Sequence, residues 1–151
     1  MYNSDSGKMD ITIDLERSIN ERNMAEEELC DYVNNSHYAI NTNDEDDKKR
    51  VLQDAQLALD NMKKHCENTS EIIHHSIGCI KSIASKMLEL IATIEENTTN
   101  VKIGFSAEHL ASYGEQLQKA TANFNKIAEN AVYVDATLAH AIHTVSDTIN
   151  S

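Results

Sequence analysis

The fold is decided by residues 52–94, LQDAQLALDNMKKHCENTSEIIHHSIGCIKSIASKMLELIATI. Apolar residues recur in this stretch at every seventh position, and a companion position follows three residues after each of them. Such a sustained heptad pattern is typical of a helix that packs lengthwise on another helix. The heptad positions are Leu52, Leu59, Cys66, Ile73, Ile80, Met87 and Ile94, and the companions are Ala55, Met62, Thr69, Ser76, Ile83 and Leu90.

A second heptad pattern occupies the last third of the chain and predicts a helix over about 106–150. Ser106 is placed as its N-cap, with Phe105 and Leu110 as an apolar pair on either side of the cap, a hydrophobic staple. The heptad positions are Leu110, Leu117, Phe124, Ala131, Leu138 and Val145, and the companions are Tyr113, Ala120, Ile127, Val134 and Ala141.

The first of these helices is predicted over about 48–96, so a connection of about nine residues joins the two helices. Connections this short favour antiparallel neighbours. The two helices therefore form a hairpin in which position i lies opposite roughly position 202 minus i. Asp44, followed by three acidic residues, is the expected N-cap of the first of them.

A weaker helix, over about 14–40, is predicted to cover one side or one end of the hairpin. Residues 1–13 are expected to be disordered or extended. Apolar residues alternate at 9–15 and 101–105, which indicates extended entries into the following helices or, as the alternative, a small two-stranded ribbon. A break near residues 67–70 is a further open question. The predicted fold is all-α: an elongated antiparallel hairpin plus an N-terminal helix, resembling a three-helix bundle, in one domain over 14–151.

The composition agrees with helices and excludes several classes of protein. The 151-residue chain has no proline and four glycines, which are too few for the tight turns of a sandwich or barrel. A net charge of −12 argues against nucleic-acid binding, which needs a basic surface. No apolar run is long enough to cross a membrane, and no cleavable signal is recognised. We expect a cytoplasmic protein, or one exported without a cleavable signal, with reduced cysteines.

A metal-binding helical bundle is an alternative to a purely structural role, although no metal ligand, cofactor or catalytic residue is predicted. The hairpin register brings four ligand-type residues within a turn or so of each other: His65, Cys66, His140 and His143. Against this site, His140 is expected to point away from the hairpin contact, and Cys66 is expected to be a small buried residue. Glu71 and His74 match one half of a di-iron motif, but no second Glu-x-x-His step follows.

The apolar stripes of the two long helices are wider than a two-helix contact requires. The surplus must be covered by the N-terminal helix, by a second copy of the chain or by another protein. We therefore predict a non-enzymatic structural or adaptor protein that associates through its helices with itself or with another helical protein. Exposure of Ile72–Ile94 to a lipid surface is a third hypothesis. The residues expected to carry association are Ile80, Met87, Ile94, Leu117, Phe124, Leu138 and Val145.

Residues 101–128, VKIGFSAEHLASYGEQLQKATANFNKIA, resemble the opening of the helical substrates and partners of bacterial type VII secretion. Those proteins often begin with a short extended apolar stretch that leads into an amphipathic helix. The resemblance implies a helical hairpin that commonly dimerises and is exported without a cleaved signal. This chain departs from the family pattern because it has no tryptophan and so lacks the Trp-x-Gly turn.

Overall fold

A computed structural model describes the backbone over residues 6–96 and 99–150, and the side chains over 11–96 and 99–144. Three helices account for nearly all of it: α1 (Ser6–Asn41), α2 (Glu45–Glu96) and α3 (Asn100–Asn150). The described residues contain no strand. The predicted all-α, three-helix fold is therefore confirmed.

Helix α1 begins at Ser6, eight positions before the predicted start, so the segment predicted as disordered or extended over 1–13 is helical from residue 6. Residues 1–5 of the predicted N-terminal segment lie outside the described residues. Ile11, Asp14 and Ser18 are buried, whereas Ile13 is exposed, which is the spacing of a helix and not of a strand. Burial of one helical face thus overrides the short alternating pattern.

Helix α2 begins at Glu45 with the predicted cap. The Asp44 carboxylate accepts hydrogen bonds from the backbone N–H groups of Asp46 (2.9 Å) and Asp47 (3.2 Å). The helix then continues to Glu96 without the break considered near residues 67–70. Thr69 is accommodated inside it because its hydroxyl donates to the Cys66 carbonyl at 2.9 Å.

Helix α3 begins at Asn100, so only residues 97–99 separate it from α2 and the nine-residue connection is wrong. Residues 101–105 are helical, and neither an extended entry nor a ribbon forms there. Ser106 is a buried residue inside the helix and not its N-cap, and Phe105 is exposed and not part of a staple. A local cap-like motif is therefore not enough to start a helix.

The chain divides into two compact units. Unit 1 comprises Met1–Glu16 and Ile72–Ile127, and unit 2 comprises Arg17–Glu71 and Ala128–Ser151. Each unit contains parts of α1, α2 and α3 and has its own apolar core. The buried core of unit 1 consists of Ile11, Ile72, Cys79, Ile83, Ala120 and Ile127. The buried core of unit 2 consists of Tyr32, Ala55, Ala58, Met62 and Ala141.

Helices α2 and α3 are antiparallel in both units, and the predicted register is correct to within a helical turn. In unit 1 the Lys86 ammonium lies 5.6 Å from the Tyr113 ring centroid, where the rule predicts Gln116. In unit 2 the Cys66 thiol contacts the Val134 carbonyl, where the rule predicts Ala136. The register is specified because it pairs two apolar stripes of similar length.

The companion positions, more than the heptad positions, form the buried face of the two long helices. A third helix packs against them, which rotates the centre of the core away from a simple two-helix contact. The heptad residues are half-buried for the most part, and Leu52 is exposed. The buried companions are Ala55, Met62, Thr69, Ser76 and Ile83 on α2, and Ala120, Ile127, Val134 and Ala141 on α3.

Candidate functional site

The part of unit 1 nearest the α2–α3 connection carries several exposed apolar side chains. We call residues 84–96 and 100–119 the hairpin end. Leu88 is 66% exposed, Val101 is 71% exposed, Phe105 is 61% exposed, and Ile91 is also exposed. Leu88 and Ile91 are three residues apart, and Val101 and Phe105 are four apart, so each pair shares one side of its helix.

The hairpin end lacks a third helix within the described residues. Asp14 of α1 faces His75 of α2, and the two helices are antiparallel, so Ser6 lies near the level of Ile83. Among the described residues, the part of α2 beyond Ile83 packs only against α3. Within the hairpin end as described, Ser106 is the one buried residue.

A half-buried apolar contact still holds the two helices together at the hairpin end. Met87 packs against the unit 1 core, and its terminal methyl group would lie 3.9 Å from a Cβ built on Gly114. Lys86 covers the Tyr113 ring, as a cation over an aromatic face. The described part of the hairpin end is thus a two-helix layer with one contact face, and Leu88, Ile91, Val101 and Phe105 lie exposed outside that face.

Six of the seven residues predicted to carry association have described side chains, and all six are half-buried. Ile80, Met87 and Leu117 pack against the core of unit 1, and Leu138 packs against that of unit 2. Ile94 and Phe124 are half-buried. The side chain of Val145 lies outside the described residues. The exposed apolar residues of the hairpin end, Leu88, Ile91, Val101 and Phe105, lie off the heptad positions, so the heptad pattern does not mark them.

Unit 2 contains a buried polar network between α1 and α3. The Asn130 amide donates to the Ser18 hydroxyl at 3.0 Å, and its oxygen accepts from the Arg22 guanidinium at 3.2 Å. Arg22 also lies 4.0 Å above the Tyr133 ring centroid, and the Tyr133 hydroxyl donates to Glu26. This hydrogen bond to a carboxylate raises the pKa of Tyr133. The network fixes the axial alignment of the two helices, because sliding would leave buried polar groups unpaired.

A second network joins α1 to α2 in unit 2. The Glu21 carboxylate lies 2.5 Å from His65 Nδ1 and accepts from the Asn68 amide at 3.2 Å. Asn61 lies one turn before His65 on α2, and its amide donates to Glu28, two turns after Glu21 on α1, at 3.2 Å. All buried side-chain nitrogen and oxygen atoms of the described residues have a hydrogen-bond partner. These contacts therefore act in packing and alignment.

The four residues considered for a metal site are not brought together as a ligand set. His65 is paired with Glu21, and His140 and His143 are exposed. Burial, a hydrogen bond with Asp135 and the charges of Asp135 and Glu67 raise the pKa of the Cys66 thiol to about 12. Glu71 and His74, the half di-iron motif, are both exposed.

A different cluster of metal-ligating residues lies in unit 1. The Asp14 carboxylate is 2.7 Å from Nδ1 of His75, and the Cys79 sulfur is 4.0 Å from the same nitrogen. The ligand atoms of the three residues lie within 4.8 Å of one another. The spacing of His75 and Cys79, four residues apart on a helix, was the available sequence signal. The contribution of Asp14 depends on where α1 lies beside α2, which the sequence does not encode locally.

Comparisons with known protein families, with curated proteins and with solved structures found no match. The similarity of residues 101–128 to type VII secretion proteins therefore stays a prediction, and residues 101–105 are helical where that pattern is extended. None of the described helices combines the length and the apolarity that a bilayer crossing requires.

Proposed function

We propose that this protein is a non-enzymatic structural or adaptor protein that associates through its hairpin end, first of all with a second copy of itself. The observation that carries the proposal is the exposure of Leu88, Ile91, Val101 and Phe105 on a two-helix layer. Two helices bury too little apolar surface to form a complete core. Addition of another helical layer removes that surface from water, which is favourable.

The geometry of the hairpin end favours a second copy of the chain as the partner. Two hairpin ends packed face to face would form a four-helix arrangement, which is a common stable solution for amphipathic helices. The hairpin end carries five glutamates and three lysines, so the two copies repel each other weakly. Association between copies should therefore become stronger when salt screens this repulsion.

Light scattering at several protein concentrations tests the proposal. The expected result is a molar mass that rises above the 16.9 kDa of one chain as concentration increases, and rises further with added salt. A strict monomer at all concentrations would contradict self-association. If salt weakens a complex that forms only with another protein, a basic helical partner is favoured instead.

Paired substitutions locate the surface. Replacement of Leu88 and Phe105 by serine is expected to shift the molar mass to that of a monomer while helicity is retained. The matched control replaces Leu57 and Val132 by serine, because these residues are as exposed but belong to unit 2. Equal effects of the two pairs would argue against a specific surface at the hairpin end.

A further inference from the structure

Asp14, His75 and Cys79 are residue types that bind metals, and their ligand atoms lie within 4.8 Å of one another. Asp14 is 1% exposed and Cys79 is 7% exposed, whereas the His75 side chain is 46% exposed. The Asp14 and Cys79 side chains are therefore buried, and the imidazole side chain is partly open to solvent. His75 and Cys79 share one side of α2 because they are four residues apart.

The distances suit one small cation after a minor adjustment. Tetrahedral zinc with metal–ligand distances of about 2.0–2.3 Å has ligand atoms separated by about 3.3–3.6 Å. The observed separations from His75 Nδ1 are 2.7 Å to Asp14 and 4.0 Å to Cys79, on either side of that range. Binding of one cation would therefore replace the Asp14–His75 hydrogen bond and bring the Cys79 sulfur closer to His75 Nδ1.

The ligand types select the kind of metal. A thiolate and an imidazole favour zinc and similar borderline-soft cations, and a carboxylate oxygen is also a common zinc ligand. Calcium and magnesium prefer sets made of oxygen atoms alone. A chain with a net charge of −12 also favours the approach of a cation over that of an anion.

A nucleophilic cysteine is the main alternative use of the same three residues, and the geometry disfavours it. In a Cys–His–Asp relay, one imidazole nitrogen faces the nucleophile and the other faces the carboxylate. Here Nδ1 of His75 is the nitrogen that faces both Asp14 and Cys79. Convergence of three ligand atoms on one point is instead the arrangement of a metal site.

We propose that Asp14, His75 and Cys79 bind one divalent cation of the zinc type. Within the described side chains, no fourth histidine, cysteine, aspartate or glutamate lies with these three. The sequence had predicted no metal here. The inference does not depend on the proposed association, because the cluster lies outside the hairpin end.

Cobalt(II) is the probe, because its thiolate complexes absorb in the near ultraviolet and its tetrahedral complexes have strong visible bands. The full chain, without an affinity tag and kept reduced, is titrated with cobalt(II) and then with zinc(II). The expected result is saturation at one cobalt per chain with a thiolate charge-transfer band, which zinc then abolishes. Absence of the band at one equivalent would overturn the proposal.

Substitutions assign the ligands. Cys79→Ser should abolish the charge-transfer band, and Asp14→Asn should lower cobalt affinity by more than the roughly 10–100-fold that loss of an outer-shell contact costs. Cys66→Ser is the control and should keep the band. If Cys66→Ser or Cys30→Ser abolishes it instead, the assignment is wrong.

His75→Asn keeps the test decisive should the buried substitutions disturb folding. The His75 side chain is half-exposed, so its replacement should leave helicity unchanged, as circular dichroism can check. This variant should also lose more than about 100-fold in cobalt affinity, the upper end of the cost of losing an outer-shell contact. His74→Asn, at an exposed neighbouring position, should bind cobalt as the unmodified chain does, and equal affinity of the two variants would overturn the proposal.

Discussion

At the scale of single residues, a few buried polar side chains decide how the helices align. Asn130 is buried and bonded to both Ser18 and Arg22, and the heptad pattern gives no hint of its importance. Cys66 occupies a heptad position, as a small apolar residue would, and its thiol is kept neutral by its surroundings. Both residues lend themselves to direct tests.

Asn130→Ala is expected to lower the free energy of unfolding by about 1–3 kcal/mol, because the Ser18 hydroxyl and the Arg22 guanidinium lose a buried partner. Chemical denaturation monitored by circular dichroism measures this change. Asn125→Ala is the control at an exposed position of the same helix, and it is expected to stay within about 0.5 kcal/mol. Equal stabilities of the two variants would mean that the network contributes little.

Cys66 should make the protein less stable as the pH rises from about 9 to 10. Its thiol has a pKa of about 12 in the folded chain and an ordinary value of 9.0. The unfolded chain therefore releases this proton first, binds fewer protons in that range, and is favoured as pH increases. Above this range the tyrosines of the unfolded chain also begin to ionise. The pKa values of Tyr32 and Tyr133 are raised in the folded chain, so these residues add to the same loss of stability and hide the effect of Cys66.

Denaturation of Cys66→Ser at several pH values checks this effect, and the decline in stability is expected to be shallower than in the unmodified chain. Cys30→Ser removes an exposed thiol and should leave the decline as it was. A thiol reagent offers a second measurement on the native protein. Cys30 should react quickly and Cys66 slowly, and an equally fast reaction of both would contradict the burial of Cys66.

At the scale of elements, the interiors of the helices followed from periodicity and the ends did not. Asp44 was identified as a cap because its own side chain and the acidic residues after it satisfy local hydrogen bonds and the helix dipole. The starts of α1 and α3 were placed too late. The alternating patterns at 9–15 and 101–105 are too short to outweigh the burial or continuation of a helical face.

Gly78→Ala and Gly104→Ala are each expected to stabilise the protein by about 0.5–1 kcal/mol, since alanine is the better helix former. Both glycines lie inside helices, and a Cβ built at either position meets no atom within 4 Å. Thermal denaturation measures the gain. The Gly104 substitution is the more informative, because a neutral or unfavourable result would indicate that α3 begins after residue 104, as the sequence alone suggested.

At the scale of the whole molecule, each unit depends on its own small core. Ile127 is fully buried in unit 1, and Met62 is fully buried in unit 2. Much of the remaining buried surface consists of alanine, serine and threonine, which allow close helix packing and supply little apolar area. Few large side chains therefore carry most of the hydrophobic stabilisation.

Ile127→Ala and Met62→Ala are each expected to lower the free energy of unfolding by about 2–5 kcal/mol, from lost burial and the cavity left behind. Denaturant titration measures both. Leu57→Ala, at an exposed position on α2, should change stability by no more than about 0.5 kcal/mol. A small effect of Ile127→Ala would show that the core of unit 1 tolerates collapse around the cavity.

The sequence by itself determined that this protein is all-α, that its two long helices are antiparallel and, to within a turn, which residues face each other. Those properties follow from periodicity, which each stretch of chain carries locally. Only the tertiary structure decided that Asp14 lies against His75 and Cys79, that Asn130 bonds to α1, and that the hairpin end has two helices where the rest of unit 1 has three. These features depend on the axial position of α1, which its polar contacts with α2 and α3 and the burial of its apolar face set together, and which no local motif encodes.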